Sequence, residues 1–317
     1  MMNRHRIISI FLVLLMLSGC GTQAKPGGSP QGAASVQADS GTAAEPVGEP
    51  YAAPEISAAV FHREQALEQG DALLDISAVN EGYVAVSVKS EAQLKFQVIQ
   101  GEITYTYDLP NDGAETIFGL QSGNGLYRFR IMENIADTKY AELFAAEAEV
   151  TMADEFQPFI RRNQYADYRE DSACVAKARE LASRATTPVE VAQNIFSYIC
   201  ENVTYDKEKA EQVESGYIPS PDRTMAEGKG ICFDYASLAA SMLRSQGIPT
   251  KIIFGYVAPG DIYHAWNMFY TEETGWITVE YQVHGGQWNR IDCTFAANGA
   301  DPETTGDGTT YTDLYVY

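Results

Sequence analysis

The sequence predicts an α+β protein: an N-terminal all-β, sandwich-like domain followed by a domain of helices packed on an antiparallel sheet. Three observations carry this. Between about residues 73 and 150, short segments alternate apolar and polar side chains and are separated by turn residues, which is the period of half-buried strands. From Cys174 the apolar residues recur at helical spacing. From Lys251 the pattern returns to strands joined by short turns. Composition sets the boundaries at 1–19 for a signal peptide, 20–55 for a disordered tether, 56–153 for the β domain and 154–317 for the second domain.

A chain of 317 residues, 45% hydrophobic and 11% aromatic, can bury more than one core. Its net charge of −21 and pI near 4.5 argue against nucleic acid as a partner, because no basic cluster is available to neutralise phosphates. An acidic surface of this kind speaks first to solubility.

At the N-terminus, Arg4 and Arg6 precede an apolar run from Ile7 to Leu17, broken only by Ser9. A bilayer-spanning helix needs about 20 apolar residues, so this run reads as an export signal. Its end, Leu17-Ser18-Gly19-Cys20, resembles the lipobox of bacterial lipoproteins. The resemblance implies cleavage before Cys20, lipid on its sulfur, and a membrane anchor on the extracytoplasmic face. Gly21 to about Pro54 is rich in Gly, Ala, Ser, Pro and Gln. So few large apolar residues cannot offset chain entropy, and a tether is expected.

In the β domain, Tyr83 to Val88, Leu94 to Val98, Ile103 to Leu109 and a segment holding Tyr127, Phe129 and Ile131 read as strands. Turn signals lie at Gln100-Gly101, Asn111-Asp112-Gly113 and Gly123-Asn124-Gly125. No cluster of His, Cys or paired acids suits it to catalysis, so it is expected to space or position the second domain. His62 is expected to be solvated in the linker.

The second domain opens with a helix from Cys174 to Ser183 that places Val175, Ala178 and Ala182 on one side. The next starts with Thr187 as N-cap, Pro188 at the first position and Glu190 to complete a capping box. Val191, Ile195 and Ile199 give it a buried stripe. Asn202 to Gly230 is a long polar stretch, read as a loop that walls a cleft.

The segment Gly228-Lys229-Gly230-Ile231-Cys232-Phe233-Asp234-Tyr235-Ala236 delivers a cysteine to the start of a third helix. Leu238 pairs with Met242 and Ala239 with Leu243 at helical spacing, while Gly247 and Pro249 mark the end. A cysteine at a helix N-terminus meets the positive end of the macrodipole and unpaired backbone N–H groups, which favour thiolate. The same N–H groups suit the oxyanion of a tetrahedral intermediate. Gly228 and Gly230 leave room for a substrate chain. His264 follows near the start of a strand, just past the turn Ala258-Pro259-Gly260-Asp261, and Asp292 lies on the strand from Trp288 to Phe295. Cysteine, histidine and aspartate are the parts of a thiol nucleophile with its base and orienter.

Residues from about 172 to 297 resemble the transglutaminase-like superfamily, which shares a papain-like catalytic architecture. The motifs that carry the resemblance are Gly228 to Tyr235, His264-Ala265-Trp266, and Trp288 to Thr294. It implies Cys232 as nucleophile, His264 as base and Asp292 as orienter, with Tyr205, Gly230 and Trp266 as oxyanion or substrate residues. The sequence departs from the family pattern at Cys293, where proline is common. Strand alternation turns Cys293 away from the face Asp292 presents to His264. The same alternation, and the lack of CxxC spacing, disfavours a zinc site made of Cys232, His264, Asp292 and Cys293. No metal or cofactor is expected. Cys174 and Cys200 stay open between a disulfide and plain core thiols.

The expected function is attack of Cys232 on a peptide or glutaminyl amide through a thioester. Its partners would be a protein or peptide substrate, cell-wall material included, and the membrane through the lipid at Cys20. Water as acceptor makes a cysteine peptidase or amidase; a lysine amine makes a cross-linking transglutaminase. The reading leans to hydrolysis, since favouring amine over water needs a specialised tunnel. The rival class is a non-catalytic surface protein that binds peptide or cell-wall polymer.

Overall fold

The computed structural model describes residues 48–257, 262–278, 280–282, 288–290 and 311–317. Cys20, Asp292, Cys293, the signal segment and most of the tether lie outside the described residues. Eight strands come first: β1 (Leu67–Gln69), β2 (Ala72–Asp75), β3 (Tyr83–Val88), β4 (Leu94–Gln100), β5 (Ile103–Leu109), β6 (Thr116–Gly119), β7 (Gly125–Ala136) and β8 (Lys139–Val150). They form two antiparallel sheets, ordered β1-β2-β3-β6 and β5-β4-β7-β8. Leu74, Val84 and Val86 from the first sheet share a core with Phe96, Val98, Phe129 and Ile131 from the second, so the two sheets make a sandwich. Tyr105 and Tyr107 point inward together, as the alternation of β5 requires.

β8 reads Lys-Tyr-Ala-Glu-Leu-Phe-Ala-Ala-Glu-Ala-Glu-Val, a composition with strong helix preference. It is nonetheless a strand, paired with β7 from Ala136↔Lys139 to Gly125↔Val150 across a turn in which Asp137 has φ 46°. Tertiary pairing overrides local propensity here. Its glutamates lie along a sheet edge, where charge discourages pairing with another chain.

The second part contains α1 (Ala173–Ala182), α2 (Pro188–Asn202), β9 (Thr204–Tyr205), α3 (Lys207–Gln212), α4 (Pro221–Glu227), β10 (Lys229–Gly230) and α5 (Cys232–Ser245). Then come β11 (Thr250–Val257), β12 (Ile262–Thr271), β13 (Gly275–Thr278), β14 (Glu280–Gln282), β15 (Trp288–Arg290) and β16 (Tyr311–Val316). An antiparallel sheet ordered β13-β12-β11-β16 packs one face on α5, with Ala265 and Ile252 against Ala236 and Ala240. The other side of α5 joins α1 and α2 in a core of Val175, Ile195, Leu238 and Met242.

Local signals hold where they are strongest. The Thr187 side chain accepts from the Glu190 N–H at 3.2 Å. The Glu190 carboxylate, however, accepts from the N–H and hydroxyl of Thr186 at 2.7 and 2.9 Å, one residue before the expected partner. α5 ends as expected, with Gly247 just past it at φ 75°.

Several expectations change. The stretch from Asn202 to Gly230 is not one loop. It holds α3, capped by Asp206 accepting from Lys209 N–H at 3.0 Å, α4 with Pro221 at its first position, and a parallel pairing of β9 with β10. Both helices are too short to show apolar periodicity, which hid them. The last residues assigned to the tether are docked: Tyr51 N–H donates to Ala185 O at 2.7 Å and its hydroxyl to Gln246 O at 2.8 Å. His62 is tied rather than solvated, its Nδ1 lying 3.1 Å from the buried Asp75 carboxylate. Cys174 and Cys200 are not joined in a disulfide. Among the described residues, no helix is long and apolar enough to cross a membrane.

Candidate active site

Cys232 is the first residue of α5 and is half-buried. Two features of the local sequence put it there. Asp234, in the first turn, reaches back so that its Oδ2 accepts the Ile231 N–H at 2.8 Å, closing the helix start. Just upstream, β10 pairs with β9 so that Gly230 stands beside Tyr205, and Asp206 N–H donates to Gly230 O at 2.9 Å. Two of the proposed substrate residues, Tyr205 and Gly230, are therefore neighbours immediately ahead of the cysteine.

Gly230 is buried, and a Cβ there would lie 2.6 Å from Asp234 Cβ and 3.0 Å from its Oδ2. Only glycine leaves Asp234 in its capping position. Gly230→Ala is expected to displace that carboxylate, cost about 1–3 kcal/mol of stability as overpacking, and slow alkylation of Cys232. Thermal melts and alkylation rates check this; a variant matching the parent in both would contradict it.

His264 lies on β12 opposite Gly255 on β11 and is 5% exposed. The strand alternates. Ala265 faces α5, and Asn267 Nδ2 donates to Ala236 O at 3.0 Å, locking β12 across α5. Trp266 packs with Ile253 on the other face, and the His264 ring lies 6.5 Å from the Trp266 ring at 21°. His264 thus shares a face with Trp266, whereas Cys232 packs among Phe254, Ala265 and Ala236 on the helix side. The structure places the two residues on neighbouring elements, Cys232 on α5 and His264 on β12, with the His264 side chain on the sheet face away from α5. Asp292 lies outside the described residues.

The other described cysteines differ in setting. Cys174 is fully buried, and burial, followed by a hydrogen bond with Asp222, pushes its thiol far above the usual range. Such a thiol is inert. Among the described histidines, His62 belongs to the sandwich and its Asp75 contact.

A cavity of about 360 Å³ runs beside this site. Phe233, Tyr217, Tyr263 and Tyr315 line it on one side, and Thr104 and Thr106 of the sandwich strand β5 line the other. Tyr263 is adjacent to His264 in sequence and Phe233 to Cys232. An aromatic train links the two parts of the molecule: Tyr107 to Tyr165 at 5.8 Å, Tyr165 to Phe233 at 5.2 Å, and Phe233 to Phe254 at 4.7 Å between ring centroids. The sequence treats the β domain as a spacer; its Thr104 and Thr106 could be connected to the site only through this long-range packing.

Comparison with known proteins finds similarity in the second part of the chain. Residues 175–281 match the family model described as the transglutaminase-like superfamily, a span that includes Cys232 and His264 and ends before Asp292. The uncharacterized protein YebA of Bacillus subtilis is 32% identical over 107 residues, covering 28% of this chain and 13% of its own length. The Kyphoscoliosis peptidase of Mus musculus is 25% identical over 146 residues, covering 43% of this chain and 20% of its own. The chain therefore spans only 13% and 20% of these two curated relatives. A solved structure of a candidate cysteine protease from Cytophaga hutchinsonii aligns over 73% of both chains with 16% identity and a TM-score of 0.39. Residues 175–281 of this chain form a transglutaminase-like domain.

Proposed function

We propose that this protein is an exported, lipid-anchored cysteine acyltransferase or hydrolase that acts on amides of proteins or peptides, with hydrolysis as its main outcome. Cys232 is the nucleophile, His264 the base and Asp292 its orienter. The observation that carries the reading is the half-buried Cys232 at the first position of α5, beside the backbone N–H groups of the helix start. The assignment of His264 as base rests on its place in the His264-Ala265-Trp266 motif of β12, the strand that packs on α5 through Ala265. The lipobox at Cys20 supports anchoring outside the cytoplasm.

In the first step the thiolate sulfur bonds to the amide carbon, and the C–N bond breaks. The leaving amine departs with a proton from the imidazolium. In the second step water, deprotonated by the imidazole, adds to the thioester; the C–S bond breaks and a carboxylate is released. A lysine amine in place of water would leave an isopeptide cross-link. The cavity between the sandwich and the aromatic rim opens beside Phe233 and Tyr263, the sequence neighbours of Cys232 and His264, where substrate would lie.

The test incubates the protein with casein, with and without a fluorescent primary amine. Cleaved or deamidated casein without amine incorporation is expected. Amine incorporation would assign transglutamination instead, and neither change would favour the non-catalytic surface protein.

A further inference from the structure

Asp234 is fully buried two residues after Cys232, in the first turn of α5. Its carboxylate has three donors. Oδ2 accepts the Ile231 N–H at 2.8 Å and Lys209 Nζ at 2.6 Å, and Oδ1 accepts the Tyr217 hydroxyl at 2.5 Å. Lys209 Nζ also donates to the Tyr217 hydroxyl at 2.6 Å and lies 4.4 Å from that ring's centroid. An acid in the first turn complements the helix dipole. The same acid, however, opposes negative charge on a cysteine in that turn. A nucleophile helix capped by a bare carboxylate would work against its own thiolate.

The geometry points to Lys209 as a positioning residue for the nucleophile: its ammonium cancels the Asp234 carboxylate, so the start of α5 is capped without leaving an uncompensated negative charge two residues from Cys232. This rests on Cys232 being the nucleophile. Lys209 reaches Asp234 from α3, outside the nucleophile helix. Burial opposes its charge, but the bonds to Asp234 and Tyr217 outweigh that and hold its pKa above the usual lysine value. Burial, then the bond to Asp234, pushes the Tyr217 hydroxyl up, so it stays a neutral donor.

Among the described residues, the remaining titratable groups around this helix end do not supply the missing positive charge. Asp206 and Lys229, on the adjacent β9–β10 segment, pair with each other at 3.4 Å. Tyr165, Tyr263 and Tyr317 are phenols that burial pushes up, so they are neutral near pH 7. His264 on β12 is the reaction's own base. Lys209 is therefore the cation that meets the Asp234 carboxylate directly.

The test measures the rate of Cys232 alkylation by iodoacetamide in the whole chain between pH 5 and 9, read by peptide mapping. Lys209→Met should slow the reaction about tenfold at pH 7 and move the rate curve about one pH unit upward, and Lys209→Gln should do the same. Lys209→Arg should keep the parent curve. Asp234→Asn should move the curve downward, and Lys209→Met with Asp234→Asn should return it to within about threefold of the parent, since the pair is again neutral. Charge cancellation is overturned if both neutral Lys209 variants keep the parent curve, or if the double variant stays with Lys209→Met. A parent Cys232 that resists alkylation throughout this range would instead overturn the nucleophile assignment, and this proposal with it.

Discussion

Replacing Cys232 with alanine is expected to lower turnover of a protein amide substrate by at least about 10⁴-fold while leaving the fold intact. The half-buried side chain at the start of α5 contributes little packing, so a stability change under about 1 kcal/mol is expected. The size of the kinetic loss follows from the chemistry. Without the sulfur no thioester forms, and the helix-end N–H groups and cavity can only bind the substrate. Rates on casein beside thermal melts check this, and a Cys232→Ala variant within tenfold of the parent would contradict it. Cys174→Ala should leave turnover unchanged, because that thiol is buried and inert.

The largest effect on stability is expected at Arg244. It lies near the C-terminal end of α5 and is 1% exposed. Its guanidinium donates to three main-chain oxygens: Thr250 O at 2.9 Å, Arg161 O at 2.9 Å and Tyr317 O at 3.1 Å. Burial lowers its pKa to about 10, so it remains charged at neutral pH. A cation at a helix C-terminus also complements the dipole. These bonds tie α5 to the start of β11, to the segment after the sandwich and to the strand β16 that completes the sheet. Arg244→Ala would leave three acceptors without their donor, the one on Thr250 fully buried, and open a cavity, at a cost of about 3–5 kcal/mol. For a chain of this size the melting temperature should fall by roughly 6–20 °C. An Arg244→Ala variant within about 1 kcal/mol of the parent would contradict this account of the tie.

The sequence was most legible where structure is local. The strands from Tyr83 to Leu109, the Thr187 cap and the start and end of α5 follow from spacing and capping within a few residues of each other. What it hid depends on distant partners. β8 is helix-forming by composition and becomes a strand through β7. β16 joins its sheet by pairing with β11, far earlier in the chain. α3 is held by its Asp206 cap and by the contact of Lys209 with Asp234, which no periodicity announces.

The site divides the same way. Cys232 was readable from glycines and a helix start, and His264 from a turn and a strand. The partnership of Asp234 with Lys209 and Tyr217 was not, because its three members come from separate segments. Nor was the sandwich wall of the cavity, since Thr104 and Thr106 carry no motif of their own.

The most direct test of the account is a brief pulse of iodoacetamide on the native protein at pH 7, followed by peptide mapping of each cysteine and assay of the remaining activity. The account predicts that Cys232 is labelled first and that activity falls in proportion to its labelling, with Cys174 protected. Labelling of Cys200 ahead of Cys232, or full labelling of Cys232 with activity retained, would contradict it.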